Sequence, residues 1–237
     1  MYATGSGFQN RNIFVIIPAY NEGAVLGETV KQIIPYGYSI VVVDDGSAVP
    51  ELNYIPNGAE NVWYLRHVSN LGAGAAVQTG TEFAVLKGAK VVVHFDADGQ
   101  HDPTQISKFV EPIRQGTCDV VMGSRFLNLE DRELVPRRKR ILLKLGVVVS
   151  WLFTGVWLTD THNGFRALSR TVAEQIKLNE NGYAHCTEIL EQIRKSGARY
   201  VEIPTTVRYT AYSMAKGQSI FNSVNIVFDL CLRKVLR

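Results

Sequence analysis

Residues 39–47, SIVVVDDGS, join a short apolar run to two carboxylates and a turn. The run is too short for a helix and rich in β-branched valine, so it predicts a buried strand over residues 39–44. The strand shows no alternation of polar and apolar residues. Both of its faces are therefore expected to be covered, as in a parallel sheet.

The same pattern recurs around this stretch and alternates with segments of helical periodicity. Strands are predicted over 12–18, 62–66, 90–96 and 119–124, and helices over 22–34, 72–87 and 103–115, the last with Asp102 as its N-cap. This alternation indicates an α/β fold, with a mostly parallel sheet flanked by helices. In such sheets, ligands bind beyond the carboxyl ends of the strands.

The second half of the chain is less regular. Helices are predicted over 137–158, 183–195 and 220–237, a polar loop over 159–167, and a strand over 200–207 that ends near Pro204. We expect one domain over residues 12–217. A flexible N-terminus (1–11) and a C-terminal amphipathic helix (218–237) flank it.

Composition excludes several classes of protein. With 46% hydrophobic and 20% charged residues, the 237-residue chain can bury a core and is not intrinsically disordered. Three widely spaced cysteines do not form a disulfide framework, and a net charge of +3 is too mild to indicate a nucleic-acid partner. We see no secretory signal and no run of about 18 apolar residues for a membrane span, so a cytoplasmic protein is expected.

Two of the predicted strands end in acidic clusters. Asp44 and Asp45 follow one strand, and Asp96 and Asp98 follow another. Alternate residues of an extended segment point to the same side, so Asp96 and Asp98 present two carboxylates to one position. An isolated Asp-Gly pair usually marks a turn, whereas two such clusters on adjacent strands favour a site for Mg²⁺ or Mn²⁺ holding a diphosphate.

A set of short motifs follows one another along the chain. They are PAYNE (18–22), VDDGS (43–47), NLG (70–72), DADGQH (96–101), GSR (123–125) and NGFR (163–166). In this order they resemble family 2 glycosyltransferases of the GT-A fold, which is Rossmann-like. More narrowly, they resemble dolichol-phosphate mannosyltransferases and other polyprenyl-phosphate glycosyltransferases, over about residues 12–217.

The resemblance implies an inverting, metal-dependent transferase that moves a sugar from a nucleoside-diphosphate sugar to a polyprenyl phosphate. The implied donor-binding residues are Pro18, Tyr20, Glu22, Val43, Asp45, Asp96, Ala97, Asp98, Arg125, Arg166, Arg208 and Lys216. The implied ligands of the divalent cation are Asp96, Asp98 and Gln100, to which His101 could add. Segment 208–216 is longer than is usual in the family.

The nature of the acceptor decides whether a general base is needed. A lipid monophosphate has a second pKa of about 6, so at neutral pH it is largely a dianion that can attack unaided. A hydroxyl acceptor needs a base within hydrogen-bond reach, for which Asp160 and Glu188 are candidates, although either is equally a capping or solvated carboxylate. The predicted catalytic residues are Asp98, Arg125, Glu188 and Asp160.

Three functions remain open at this point. They are transfer to a polyprenyl phosphate, transfer to the hydroxyl of a glycan or lipid-linked saccharide, and a non-catalytic partner subunit that binds nucleotide sugar or lipid.

Two segments predict contact with a membrane surface. A basic cluster over 137–144 precedes an uncharged run over 145–159 that carries Trp151 and Trp157. Helix 220–237 places apolar residues on one face and basic residues at its end. Basic and tryptophan side chains favour the lipid headgroup region. We expect peripheral association with the membrane, alone or through a separate membrane subunit.

Overall fold

The computed structural model describes residues 9–127, 147, 151, 155–161, 163–182 and 184–207. Within them, one seven-stranded sheet is covered by helices on both faces. The strands are β1 (Ile13–Ala19), β2 (Ser39–Asp44), β3 (Val62–Arg66), β4 (Val91–His94), β5 (Val120–Ser124), β6 (Arg166–Ser169) and β7 (Tyr200–Pro204). The helices are α1 (Ala24–Ile33), α2 (Ala73–Leu86), α3 (Ile106–Arg114), α4 (Arg170–Gln175) and α5 (His185–Ser196).

The strand order is β3-β2-β1-β4-β6-β5-β7. Because β1 lies between β2 and β4, the prediction that the two strands ending in acidic clusters are adjacent is wrong. All pairs are parallel except those of β6, which is antiparallel to both β4 and β5. The predicted mostly parallel sheet is therefore confirmed. From β1 the sheet grows first towards β2 and then, on the other side, towards β4. This reversal leaves a crevice beyond the carboxyl ends of β1 and β4, where ligands bind in folds of this kind.

Two apolar layers hold the helices on the sheet. Side chains at alternate positions of β1 pack against α1 and α3 on one face, and the intervening ones pack against α2, α4 and α5 on the other. The layer under α2 is so close that a Cβ at Gly80 would lie 2.3 Å from Cγ2 of Ile16. Gly80 therefore sets the distance between α2 and the sheet.

The prediction of a loop over 159–167 is wrong at its end, because Arg166–Ser169 forms strand β6. The segment RALS is too short to show a period of two, and its first residue is charged. It forms a strand because β4 and β5 flank it and satisfy its backbone hydrogen bonds on both sides. The predicted helix 103–115 divides into a 3₁₀ turn (Pro103–Gln105) and α3, and Asp102 caps the turn as predicted.

Several predicted segments lie outside the described residues. These are residues 1–8, most of helix 137–158, and everything after residue 207, including helix 220–237. The predicted domain boundaries therefore stay predictions. In the part of the chain that is described, no helix is both long and apolar enough to cross a membrane.

Candidate active site

The carboxyl ends of β1, β2, β4 and β5 meet at one edge of the sheet. Because β6 runs in the opposite direction, its first residue lies at the same edge, where Arg166 pairs with His94 of β4 and Met122 of β5. The topology thus brings most of the predicted site residues together from segments that are far apart in sequence.

Asp96 and Asp98 lie in the loop that follows β4. Oδ2 of Asp96 is 3.0 Å from Nε2 of His101, and Oδ1 of Asp98 accepts a hydrogen bond from the Gln100 N–H at 3.0 Å. The Asp96 side chain is 44% exposed, so it faces an open cleft. A Cβ at Gly164 would lie 2.6 Å from each Asp96 carboxylate oxygen, so a side chain at this position would displace the carboxylate.

The two carboxylates concentrate negative charge. Burial, together with the charge of Asp96, raises the pKa of Asp98 to about 6. The protein around Asp96 also removes part of its hydration and so acts to raise its pKa, but the hydrogen bond and charge of His101 and the charge of Arg166 outweigh this effect and lower that pKa. A cation bound here would relieve the repulsion between the two groups.

The residues present fit a divalent cation that binds together with its substrate. No group of three or more His, Cys, Asp or Glu side chains among the described residues is arranged to hold an ion. Mg²⁺, however, is often held by one or two carboxylates, with substrate phosphates and water completing its shell. Asp96 and Asp98 supply two such carboxylates, and Gln100 lies in the same loop.

The loop between β1 and α1 (residues 20–23, the β1–α1 loop) borders this cleft. Tyr20 is exposed, and the charge of Glu22 is close enough to Asp98 to act on its pKa. Asn21 adopts a left-handed conformation with φ of 54°. Its N–H donates to Oγ of Ser47 at 2.9 Å, and its Oδ1 accepts from the Ala48 N–H at 2.9 Å. These contacts fix the loop to the segment that follows β2.

Asp44 and Asp45 both hold backbone segments around the cleft. Asp44 is inaccessible to solvent and accepts from the Ser47 N–H at 2.8 Å and from the Tyr64 hydroxyl at 2.5 Å. Asp45 accepts from the N–H groups of Leu71 and Gly72 at 2.9 and 2.7 Å and contacts His67. The predicted contact of Asp45 with a nucleotide stays a prediction.

Two other predicted donor residues are largely buried. The Val43 side chain is fully inaccessible and packs beneath α2. Ala97 is also buried, and its carbonyl accepts from the Thr29 hydroxyl at 3.2 Å. The Val43 side chain therefore supports the floor of the site from within the core.

Tyr64→Phe is expected to lower the free energy of unfolding by about 1–3 kcal/mol at pH 7, because it removes a hydrogen bond to the buried Asp44 carboxylate. Burial and the bond to Asp44 raise the pKa of Tyr64 to about 12. Burial acts to raise the pKa of Asp44, but hydrogen bonds from Tyr64, Ser47 and Glu51 lower it below its ordinary value of 3.8.

The pH dependence of this loss of stability follows from the directions in which the pKa values of Asp44 and Tyr64 are shifted. The contribution of Asp44 is present above pH 3.8 and is lost as pH falls through its lower folded-state pKa. The contribution of Tyr64 is present below pH 10 and is lost as pH rises through about 12. Urea unfolding should therefore separate wild type from Tyr64→Phe at pH 7 but much less at pH 3. The exposed Tyr36→Phe serves as the control, and a difference that persists unchanged at pH 3 would contradict the assignment.

Arg125 and Asp160 form a bidentate ion pair at the end of β5. The Nε–Oδ2 and Nη2–Oδ1 distances are 2.6 and 2.7 Å, and the Arg125 N–H also donates to Oδ2 at 3.1 Å. Glu202 of β7 accepts from the N–H groups of Thr159 and Asp160 and so holds this segment in place. The geometry favours a role for Asp160 in orienting Arg125 over the predicted role of a general base.

Arg166 is a buried cation. Its Nη2 donates to the Asn163 carbonyl at 3.1 Å and contacts Sγ of Cys186 at 3.6 Å. Among the described residues, no carboxylate lies within ion-pair distance of its guanidinium group. A guanidinium held in this way is suited to bind phosphate oxygens.

Glu188 lies in the first turn of α5. Its carboxylate accepts hydrogen bonds from the N–H groups of Asn179 and Glu180, each at 2.9 Å. These contacts match the capping role that the sequence allowed for Glu188 as the alternative to a catalytic role. The predicted donor-binding residues Arg208 and Lys216 lie outside the described residues.

Three residues with clear structural roles were not singled out from the sequence. Glu51 holds the β1–α1 loop, His67 contacts Asp45, and Glu202 holds the segment that carries Asp160. Each is a single polar residue outside any motif, and its partners are remote in sequence. No pattern of local spacing could have indicated them.

The family model described as glycosyl transferase family 2 matches residues 14–177. The chain belongs to glycosyltransferase family 2. The family and the enzyme class predicted from the motifs are therefore confirmed.

Two relatives within family 2 are similar to this chain over most of its length. The chain is 33% identical over 242 residues to UDP-N-acetylglucosamine–dolichyl-phosphate N-acetylglucosaminyltransferase of Methanococcus voltae, covering 94% of this chain and 96% of the relative. It is 30% identical over 210 residues to polyprenol monophosphomannose synthase of Mycolicibacterium smegmatis, covering 81% and 76%.

A solved structure of glucosyl-3-phosphoglycerate synthase from Mycobacterium tuberculosis, in complex with Mn²⁺, UDP and phosphoglyceric acid, has a TM-score of 0.66 at 16% identity. The match covers 93% of this chain and 78% of that one. This likeness confirms the GT-A fold.

Proposed function

We propose that this family 2 enzyme transfers a sugar from a nucleoside-diphosphate sugar to a polyprenyl phosphate, with inversion at the anomeric carbon. The observation that carries the proposal is the Asp96/Asp98 pair in an open cleft at the switch point of the sheet, with Arg125 and Arg166 at the same edge. The names of the relatives from Methanococcus voltae and Mycolicibacterium smegmatis support a polyprenyl phosphate acceptor.

Each group has a chemical role in this reaction. Asp96, Asp98 and Gln100 would hold a divalent cation, Mg²⁺ or Mn²⁺, which supplies Lewis-acid stabilisation of the leaving diphosphate. Tyr20 and Glu22 would contact the nucleoside. Arg125 and Arg166 would bind phosphate oxygens, and Arg208 and Lys216 are proposed to do the same from the C-terminal segment.

The acceptor phosphate needs no general base, because its dianion is itself the nucleophile. This agrees with the engagement of Asp160 and Glu188 in holding other groups. The phosphate oxygen attacks the anomeric carbon, the bond to the donor diphosphate breaks, and the nucleoside diphosphate leaves.

The test is to incubate the purified protein with a panel of sugar nucleotides, a short-chain polyprenyl phosphate and Mg²⁺ or Mn²⁺. Mass spectrometry of the lipid fraction should detect one glycosyl phosphate lipid, and its sugar identifies the donor. If a folded protein yields no such lipid with any donor in the panel, the proposal is wrong.

The variant Glu188→Gln distinguishes transfer to a polyprenyl phosphate from transfer to a saccharide hydroxyl. We expect transfer to the lipid phosphate to stay within a few-fold of wild type. The melting temperature should fall slightly, because weaker bonds to the Asn179 and Glu180 N–H groups cost about 1 kcal/mol. Glu191→Gln on the same helix is the control. Loss of turnover with intact donor binding would instead indicate a general base and a hydroxyl acceptor.

Membrane contact is proposed for the surface that carries Trp151 and Trp157. These two indoles pack edge to face at 5.5 Å and are 42% and 57% exposed. Exposed tryptophan favours the headgroup region, where a polyprenyl phosphate presents its phosphate. The basic cluster 137–144 adjoins this surface in sequence, so we propose peripheral binding at the cytosolic face, directly or on a separate membrane subunit.

A further inference from the structure

Glu51 is a fully buried carboxylate that the proposed chemistry does not use. Its side chain is inaccessible to solvent. Glutamate is almost never fully buried unless it is paired or hydrogen-bonded, because desolvation of the charge is costly. Its contacts therefore identify what it holds in place.

The contacts of Glu51 converge on the β1–α1 loop. Oε1 accepts from the Glu22 N–H at 2.6 Å, and Oε2 accepts from the Gly23 N–H at 3.0 Å. Oε1 also lies 3.3 Å from the hydroxyl of Ser47, which in turn accepts from the Asn21 N–H. The backbone N–H groups of three successive loop residues are thus bound, directly or through Ser47, by one carboxylate.

These residues lead directly into α1. Gly23 is the N-cap residue of this helix and has no side chain to cap it. Free N–H groups and the helix dipole make such a terminus attractive to anions, and phosphates of substrates often bind there. The carboxylate of Glu51 accepts from one of these N–H groups, that of Gly23, and so takes part of the capping role.

The same loop carries Tyr20 and Glu22, the proposed nucleoside contacts. Asn21 between them has a φ of 54°, a left-handed conformation that is uncommon outside glycine but that asparagine adopts more readily than most residues. The hydrogen bonds that the loop N–H groups donate to Glu51 and Ser47 hold that conformation. Without them, the loop would have to be ordered at the moment the donor binds, at a cost in affinity.

We infer that Glu51 is a positioning residue for donor binding, which fixes the β1–α1 loop in its binding conformation. This inference rests on the proposed function, because it takes the donor to be a nucleoside-diphosphate sugar. It assigns Glu51 no contact with the reacting atoms.

The test uses Glu51→Gln, in which one oxygen is replaced by an NH₂ group that cannot accept from a backbone N–H. Glu60→Gln, an exposed glutamate in the same segment, is the matched control. With the cation and the lipid phosphate saturating, the KM for the donor should rise about tenfold or more, as expected for the loss of a charge-assisted hydrogen bond. The kcat should stay within about twofold, and the KM for the lipid phosphate should not change.

Hydrogen exchange provides a second readout that needs no turnover. Peptides covering residues 20–24 should exchange faster in Glu51→Gln than in wild type or Glu60→Gln, while peptides of β4 should not. If Glu51→Gln does not fold, Ser47→Ala removes the link to Asn21 more mildly and should raise the donor KM with little change in kcat.

These experiments distinguish failure of the inference about Glu51 from failure of the proposed function. If wild type makes no glycolipid and binds neither UDP nor GDP in the presence of Mn²⁺, the proposed function fails and the inference fails with it. If wild type is active and the variants show an unchanged donor KM, or an equal fall in kcat for every substrate, the inference alone is overturned.

Discussion

Asp98→Asn is expected to lower the rate of sugar transfer by about a thousandfold. A divalent cation at a developing diphosphate contributes several kcal/mol of stabilisation, and each 1.36 kcal/mol corresponds to a factor of about ten in rate. Asp96 and Asp98 are the two carboxylates proposed to hold the cation, so a neutral amide at Asp98 would halve the charge that they offer to it. The measurement is initial-rate glycolipid formation at several concentrations of Mg²⁺ and Mn²⁺.

Asp102→Asn is the matched control in the same loop. Asp102 caps the 3₁₀ turn through its Oδ1, and asparagine caps about as well as aspartate. This variant should keep near wild-type activity and stability. If Asp98→Asn retains most of the activity in a chelated buffer as well as with added cation, the assignment of Asp98 as a metal ligand is wrong.

Asp160→Ala is expected to lower the free energy of unfolding by about 3–5 kcal/mol, the usual cost of removing one partner of a buried ion pair. The Asp160 side chain is 1% exposed and that of Arg125 is 13% exposed, so little solvent is available to compensate the charge that remains. Transfer should also fall, because Arg125 loses the bidentate contact that orients it. Chemical denaturation measures the first effect, and glycolipid formation in the folded fraction measures the second.

Glu174→Ala provides the comparison for a surface ion pair. Glu174 and Arg170 are both about half exposed, and such pairs contribute about 0–1 kcal/mol. The double variant Arg125→Ala/Asp160→Ala should be less destabilised than the sum of the two single variants, since no uncompensated charge remains. If Asp160→Ala costs no more than Glu174→Ala, the Arg125–Asp160 pair does not stabilise the fold as a buried ion pair.

The local parts of this fold were predictable from the chain, whereas its long-range parts were not. Strand β2 has the predicted bounds, Ser39–Asp44, because a short valine-rich run between polar turns forms a strand when it is buried in a sheet. Strand β6 was missed because its four residues acquire strand structure only from neighbours that are remote in sequence.

In the candidate site, too, the residues within local motifs were predicted and the long-range contacts were not. Asp96, Asp98 and Arg166 were predicted because each lies in a short motif, and the topology brings them to one edge. The partners of Arg125 and of Glu22 were not predicted, because Asp160 and Glu51 reach them across 35 and 29 residues of chain. Such pairings depend on the register of the sheet, and the spacing of residues within a motif carries no information about that register.

The most direct test of lipid-phosphate transfer is nucleoside diphosphate release from the donor that the panel identifies. It is measured with and without short-chain polyprenyl phosphate, and each condition is repeated with EDTA. We predict release only when lipid phosphate and divalent cation are both present. Metal-dependent release that is indifferent to the lipid would contradict the proposed acceptor, and release that persists in EDTA would contradict the role of Asp96 and Asp98.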